Sequence, residues 1–430
     1  MRLHSISILL LTLLIVFGLT GCASVNAVSP SATSTSNLTP TLTSTPLPTS
    51  TPTNTPTPTE VPFYLNATVY AGNLQVPILL YHHFKPDTTA ESTTTRTRLA
   101  DFKDQLQQLY DAGFSLVSLQ SWLDGTFLVP EGRKPLIITL DDGWFADQLY
   151  INDDGTPSTL SGLGVLWQFS EEHPDFGFSA AIFTNMGDKF YGDKQVGDRF
   201  LLGEGDAWKD KLGNTIAWAM DHGIEPYNHT YTHIQLSSPA TTNADIAYQL
   251  KQNDTVTRSY LERVGRTDLI SKLGNIIALP FGIWPSTPSG IRILQNYQTP
   301  EGLQTQAIME AYNLYEAKFT PSVFSPDFDR FNLPRLTAGV QMIQTVVESK
   351  DQFPTAQSCT LGPLPEAQQS DVTLIGQLID QAIASANCPK GIYNVNGIVF
   401  NASEGNARLF YQASAQPTLT ATPLSSTPTP

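Results

Sequence analysis

Leu136-Ile-Ile-Thr-Leu-Asp-Asp-Gly143 is the stretch on which the fold turns. Five consecutive apolar or β-branched residues suit a strand buried on both faces, as in a parallel sheet covered by helices. The run ends on two adjacent carboxylates and a glycine that allows a sharp exit. Consecutive side chains of an extended segment point to opposite sides, so Asp141 and Asp142 are expected to meet different partners and take different roles. Asp153-Asp154-Gly155 repeats the tripeptide with no comparable strand before it and reads as a turn.

Outward from this strand, apolar runs of strand length recur at residues 76–84, 115–119, 179–184, 224–227 and 276–279. Between them lie helical patterns. Phe102, Leu106, Leu109 and Tyr110 share a face ended by Gly113, and Thr242 or Asn243 can cap a helix with Ile246, Leu250, Val256, Tyr260 and Leu261 on its inner stripe. The alternation is that of an α/β domain with a parallel sheet or barrel. Residues 187–223 read as a loop insertion followed by a helix around 216–220. After Lys350 the strand signal fades to a helix at 372–386 and a short strand at 391–399.

A second cluster of chemistry lies in Asn228-His-Thr-Tyr-Thr-His233. Two histidines at i and i+4 share a face of one helical turn, the spacing that brings both imidazoles to one metal ion. The other histidines are His4, His82, His83, His173 and His222, so none follows His233. Two histidines with a strand-end carboxylate leave open coordination positions, a catalytic ligand count.

The ends of the chain carry an address. Arg2 precedes a mainly apolar run at residues 6–19, which at about 1.5 Å per residue is too short for a bilayer core of roughly 30 Å and reads as the core of a signal peptide. Leu19-Thr-Gly-Cys22 follows and resembles a bacterial lipobox, whose cysteine is lipidated, so a membrane anchor at Cys22 is expected. From Ser29 to Thr59, 25 of 31 residues are Ser, Thr or Pro, the composition of an extended tether, and residues 416–430 repeat that bias. The expected organisation is a signal peptide (1–21), lipidated Cys22 and tether (22–61), a catalytic domain (62–350), an appendage (351–412) and a tail (413–430). Cys359 and Cys388 then remain as an even pair, disulfide-bonded or left as two thiols. A formal charge of -15 excludes non-specific nucleic-acid binding, which demands a basic face.

Thr139-Leu-Asp-Asp-Gly143 resembles the T-F-D-D-G motif of the polysaccharide deacetylases, the NodB-like carbohydrate esterases, and His229-Thr-Tyr-Thr-His233 resembles their H-[ST]-x-x-H motif. In the same order, residues 76–84 resemble the family's V-P-I-L-x-Y-H opening, Ala180-Ala-Ile-Phe183 its A-T-F-F strand and Leu279-Pro-Phe-Gly282 its P-[YF]-G motif. The resemblance spans roughly residues 76–336 and implies an irregular (β/α)7 barrel. It implies Asp141 as general base, Asp142, His229 and His233 as ligands of a divalent metal, usually Zn2+, and the backbone N–H of Phe281 as an oxyanion donor. The chemistry suits those residues: a metal polarises an amide carbonyl and activates water while a carboxylate takes the proton.

Two departures matter. Ala278 and Leu279 stand where the family often has an arginine, and no general-acid histidine follows His233. In the branch resembling poly-β-1,6-N-acetylglucosamine deacetylases the acid comes from the opening segment, which makes His82 the first candidate and His83 the fallback. Arg335, in Leu333-Pro-Arg-Leu336, resembles that branch's arginine that orients the base carboxylate, although a surface arginine fits the sequence too. The function expected is metal-dependent deacetylation of an N-acetylated extracellular or cell-wall polysaccharide. A catalytically inert glycan-binding lipoprotein is the alternative. A non-haem iron oxygenase would place His-x-Asp together and a distant histidine in a jelly-roll pattern, which this order does not.

Overall fold

The computed structural model describes residues 62–72, 75–88, 90–187, 207–311 and 317–412. The expected signal peptide, Cys22, tether and tail, and residues 188–206 of the insertion, lie outside them. Among the described residues the strands are, in chain order, β1 (Phe63–Tyr70), β2 (Ile78–Tyr81), β3 (His83–Lys85), β4 (Arg96–Arg98), β5 (Phe114–Leu116), β6 (Lys134–Gly143), β7 (Ala180–Thr184), β8 (Ile224–Asn228), β9 (Ile276–Ala278), β10 (Ala307–Met309), β11 (Leu336–Thr337), β12 (Ala356–Leu364), β13 (Ile392–Val395), β14 (Ile398–Asn401) and β15 (Arg408–Gln412). The α-helices are α1 (Leu99–Asp111), α2 (Leu119–Leu123), α3 (Gly162–Glu172), α4 (Ala207–Asp221), α5 (Asn243–Arg263), α6 (Pro288–Gln295), α7 (Val340–Glu348) and α8 (Val372–Ala384). None of these helices is long and apolar enough to cross a membrane.

Seven parallel strands pair in the order β10-β9-β8-β7-β6-β2-β11, with β5 beside the start of β6. The two edges meet through one short segment: Leu333 bridges to Met309 of β10, and three residues later Leu336 pairs with Leu79 of β2. The result is an irregular (β/α)7 barrel. Its strands are continuously apolar because both faces are covered. Ile78, Ile137, Ala181, Phe183, Ile276, Ala278, Ala307 and Met309 belong to one buried cluster, while Leu79, Ile138, Leu140, Ile182 and Ile224 pack with Phe102 and Leu106 of α1 and Leu163 and Leu166 of α3. Ile277, Leu279 and Ile308 pack instead with Ile246 and Leu250 of α5 and Leu294 of α6.

The helical patterns translate with two revisions, of which one is that α4 begins at Ala207, well before the helix expected around 216–220. Gly113 takes φ +87 just past α1, the left-handed exit that glycine adopts without penalty. Thr242 caps α5 through a reciprocal capping box with Asp245. The buried face of α5, however, carries Gln249, Asn253, Thr257 and Arg258 among Ile246, Leu250 and Leu261, so it is more polar than an apolar stripe predicts.

A second sheet, antiparallel, runs β12-β1-β13-β14-β15. Residues 351–412 therefore do not build it alone, since β1 from the other end of the chain sits between β12 and β13. A disulfide joins Cys359 of β12 to Cys388 beyond α8. The single strand read at 391–399 is instead the hairpin β13–β14, turning on Asn396 (φ 52) and Gly397 (φ 84). Asn-Gly is a strong hairpin signal because both residues tolerate positive φ.

Candidate active site

The residues singled out by the motifs gather at the C-terminal ends of the barrel strands, the end at which loops of such barrels collect functional groups. Asp141 is 3% exposed at the end of β6 and Arg335 is fully buried on the segment that closes the barrel. The two form a bidentate pair, Nη1 to Oδ1 at 2.5 Å and Nη2 to Oδ2 at 2.8 Å, while Arg335 Nε donates to the Glu310 carbonyl at 2.9 Å. This fork fixes both the position and the plane of the carboxylate. Burial alone would push the Asp141 carboxyl up, but the charge and hydrogen bonds of Arg335, with help from His229 and His82, outweigh it and hold the group well below the usual carboxylate range. Asp141 is an ionised acceptor. The surface reading of Arg335 is thereby excluded.

Asp142 faces a different set. Its φ of 61 and a register shift between Leu140 and Gly143 turn the strand end, so that both acids lie beside one imidazole rather than pointing apart. His229 Nε2 is 3.7 Å from Asp141 Oδ2 and 3.7 Å from Asp142 Oδ1, and His233 Nε2 is 3.6 Å from the same Asp142 oxygen. Asn185 Nδ2 also donates to that oxygen, at 3.3 Å. The role of Gly143 is equally specific: a Cβ there would lie 2.2 Å from Ile182 Cγ2, so close approach to β7, rather than backbone freedom, demands glycine.

The histidines meet by a route other than the helical turn suggested by their spacing. His229 directly follows β8, and residues 229–233 form a loop in which Thr230 (φ 64) and His233 (φ 51) are left-handed. Asn228 Oδ1 accepts from Thr230 N at 2.9 Å, and Gln249 of α5 binds Thr232 twice, accepting from its N–H at 2.7 Å and donating to its Oγ1 at 2.8 Å. The two rings end 4.8 Å apart, centroid to centroid. Four of the six non-glycine residues with positive φ among the described residues are Asp142, Thr230, His233 and Phe281, all at this site. Such conformations persist only where surroundings enforce them, and they concentrate at functional sites.

The three candidate ligand atoms of Asp142, His229 and His233 lie within 4.8 Å of one another. The chemistry of the donors fits a cation. His229 Nδ1 lies 3.0 Å from the Ala278 carbonyl, which can only accept, so Nδ1 holds the proton and Nε2 offers its lone pair toward Asp142. Burial lowers the His229 pKa, opposed by Asp141 and Asp142, and favours the neutral ring that a metal requires.

His82 and His83 separate cleanly. His83 Nδ1 is 3.2 Å from Asp147 Oδ2 and its ring packs edge-on against Phe145. His82 is held through its carbonyl by Gln148, yet its buried Nδ1 has no hydrogen-bond partner. Burial lowers the His82 pKa, with the charges of Asp141 and Asp142 opposing. Phe281, in a turn after β9, is 60% exposed, and its ring packs edge-to-face with His233, centroids 4.5 Å apart. The turn lies against the end of β10, where a Cβ on Gly282 would be 2.8 Å from Ala311. Sequence reading passed over Asn185, Asn228 and Gln249, because amides beside a motif or within a helix carry no signature of their own.

No protein-family model matches the chain, and no curated protein matches it in sequence. Its fold is similar to solved structures. A Streptococcus pyogenes deacetylase, PplD, is 14% identical over 61% of this chain and 92% of its own, with a TM-score of 0.39. IcaB from Ammonifex degensii is 17% identical over 65% and 98% (TM-score 0.41), and a de-N-acetylase from Aggregatibacter actinomycetemcomitans 14% identical over 63% and 99% (TM-score 0.41).

Proposed function

We propose that the protein is a divalent-metal-dependent deacetylase that hydrolyses N-acetyl groups on an extracytoplasmic polysaccharide, poly-N-acetylglucosamine or a similar glycan. One observation carries the reading: an open Asp142-His229-His233 ligand set stands beside a buried, ionised carboxylate that Arg335 orients and that needs no place among the ligands. Zinc suits two imidazoles and a carboxylate, and when bound it supplies Lewis acidity toward an acetyl carbonyl. Asp141, 3.7 Å from His229 Nε2, is assigned to accept the proton of an attacking water. Arg335 keeps its carboxylate ionised and aimed. The backbone N–H of Phe281, in the turn over the ligands, is the donor assigned to the developing oxyanion. His82, whose buried Nδ1 has no hydrogen-bond partner, is assigned to protonate the leaving amine, against the burial that lowers its pKa. The roles of Asp141 and His82 differ as their surroundings do: one is paired with a cation, the other carries a buried ring nitrogen without a partner.

The short apolar run, the Leu-Thr-Gly-Cys stretch and the tether composition support export and lipid anchoring at Cys22, which would hold the barrel near envelope glycans. The test is acetate release from N-acetylated oligosaccharides and polymers, measured after chelation and again after zinc or cobalt is restored. Release that follows the metal supports the reading. Stoichiometric metal without release from any acetylated glycan favours the inert glycan-binding lipoprotein.

A further inference from the structure

Helix α5 packs on the barrel with a face that is partly amide and carboxylate. Gln249 is 7% exposed and Asn253 1%. Burying such groups is costly unless each finds a hydrogen-bond partner, so their targets are informative. Gln249 takes both polar groups of Thr232, as described above. Asn253 Oδ1 accepts from Met186 N at 2.7 Å, and its Nδ2 donates to Thr184 Oγ1 at 3.3 Å. Asp254 Oδ1 accepts from Asn228 Nδ2 at 2.8 Å, while Tyr297 donates to its Oδ2 at 2.7 Å. Asn228 is thereby oriented, with its oxygen left for Thr230 N.

These targets lie in two stretches of chain. One is 184–186, which contains Asn185, the donor to Asp142; the other is 228–232, which contains His229 and leads into His233. Both begin at strand ends, beyond which Met186 N, Thr230 N and Thr232 N take side-chain oxygens as acceptors, and in the second the backbone is left-handed at Thr230. From this geometry we infer that Gln249, Asn253 and Asp254 of α5 are positioning residues that set the metal ligands in place, with Gln249 the direct clamp on the histidine loop. The inference rests on the metal reading proposed above, and it assigns the site's preorganisation to side chains that touch neither metal nor substrate.

Gln249 gives the sharpest test, because its two bonds can be removed or retained at nearly constant volume. Gln249→Leu removes both. Gln249→Glu keeps an acceptor for Thr232 N and offers a second to the Thr232 hydroxyl, and Thr232→Val removes the side-chain bond alone. Zinc affinity is measured by competition with a chromophoric chelator, and hydrogen exchange of the 229–233 amides is followed in metal-free protein. Leu261→Ala, elsewhere in the buried face of α5, serves as a control for lost stability. The expected result is zinc affinity reduced 10- to 100-fold in Gln249→Leu, the range typical of lost support around a ligand. Faster exchange at Thr232 should accompany it, with smaller effects in Gln249→Glu and Thr232→Val and none on affinity in Leu261→Ala. Wild-type protein that binds zinc together with a folded Gln249→Leu of unchanged affinity and exchange overturns the inference alone, as does an equal loss in the Leu261→Ala control. If Gln249→Leu does not fold, unchanged affinity and exchange in Thr232→Val overturn it. Wild-type protein that binds no divalent metal contradicts the metal reading itself, and the inference falls with it.

Discussion

At the scale of single residues, the site is governed by the pairing of two buried charges. Arg335 is fully buried and its guanidinium lies 5.1 Å from the Phe183 ring centroid, so removing either partner leaves an uncompensated charge in an apolar barrel. Arg335→Ala should destabilise the fold by about 3–5 kcal/mol, seen in chemical denaturation, and abolish turnover as well. Arg335→Lys restores charge but not the fork, so it should recover stability more than rate. His82→Ala should leave zinc content unchanged and lower kcat by about 100- to 10,000-fold, the range of general acid–base assistance. Unchanged kcat would remove His82 from the mechanism. Asp141, Asp142, His229 and His233 were legible because their types and order match a known constellation. Their conformations were not: i, i+4 spacing is shared by a helix and by a loop whose left-handed residues are stabilised by distant amides. Arg335 was ambiguous in sequence for a related reason, since nothing local says that a two-residue strand will close the barrel there.

Secondary elements explain why parts of the chain read easily and others did not. β6, β7, β8 and β9 announced themselves as apolar runs because helices cover one face and the barrel interior the other. β10 and β11, of three and two residues, are defined only by their neighbours and carry no periodicity. Helix α5 was placed correctly by its cap and its Ile246, Leu250 and Leu261, but its polar face was invisible to a hydrophobic pattern. That face has a titration of its own. Burial lifts the Asp254 carboxyl to about 6, against hydrogen bonds from Tyr297 and Asn228 and the charge of Arg258. Its folded value lies above the unfolded value of about 3.9, so its stabilisation is complete below about 3.9 and is lost as pH rises through about 6. In metal-free protein, lowering the pH from 8 to 5 should therefore favour wild type relative to Asp254→Asn by about 1–2 kcal/mol in denaturation midpoints. No change in that difference would mean that Asp254 is already ionised at no cost.

Over the whole molecule, the barrel and the five-stranded sheet are tied together by the chain's order. Tyr70, Ala356, Ile392 and Val399 share one apolar cluster with Ile78 and Ile137 of the barrel, and β1 must be in place before β12 and β13 have a common neighbour. Deleting residues 63–70 should expose that cluster and yield aggregated protein. Deleting residues 1–59 alone should leave residues 63–412 folded. The disulfide closes a 29-residue separation, so Cys359→Ala with Cys388→Ala should cost about 3–4 kcal/mol without altering zinc affinity. The measurement that tests the central claim most directly is zinc content and acetate release determined together on wild type and Asp141→Asn, with an N-acetylated glucosamine oligomer as substrate. Equal zinc in both, with release from wild type and a loss of at least about 100-fold in the variant, is the result predicted. Stoichiometric zinc with no release from wild type, or equal release from both proteins, would contradict it.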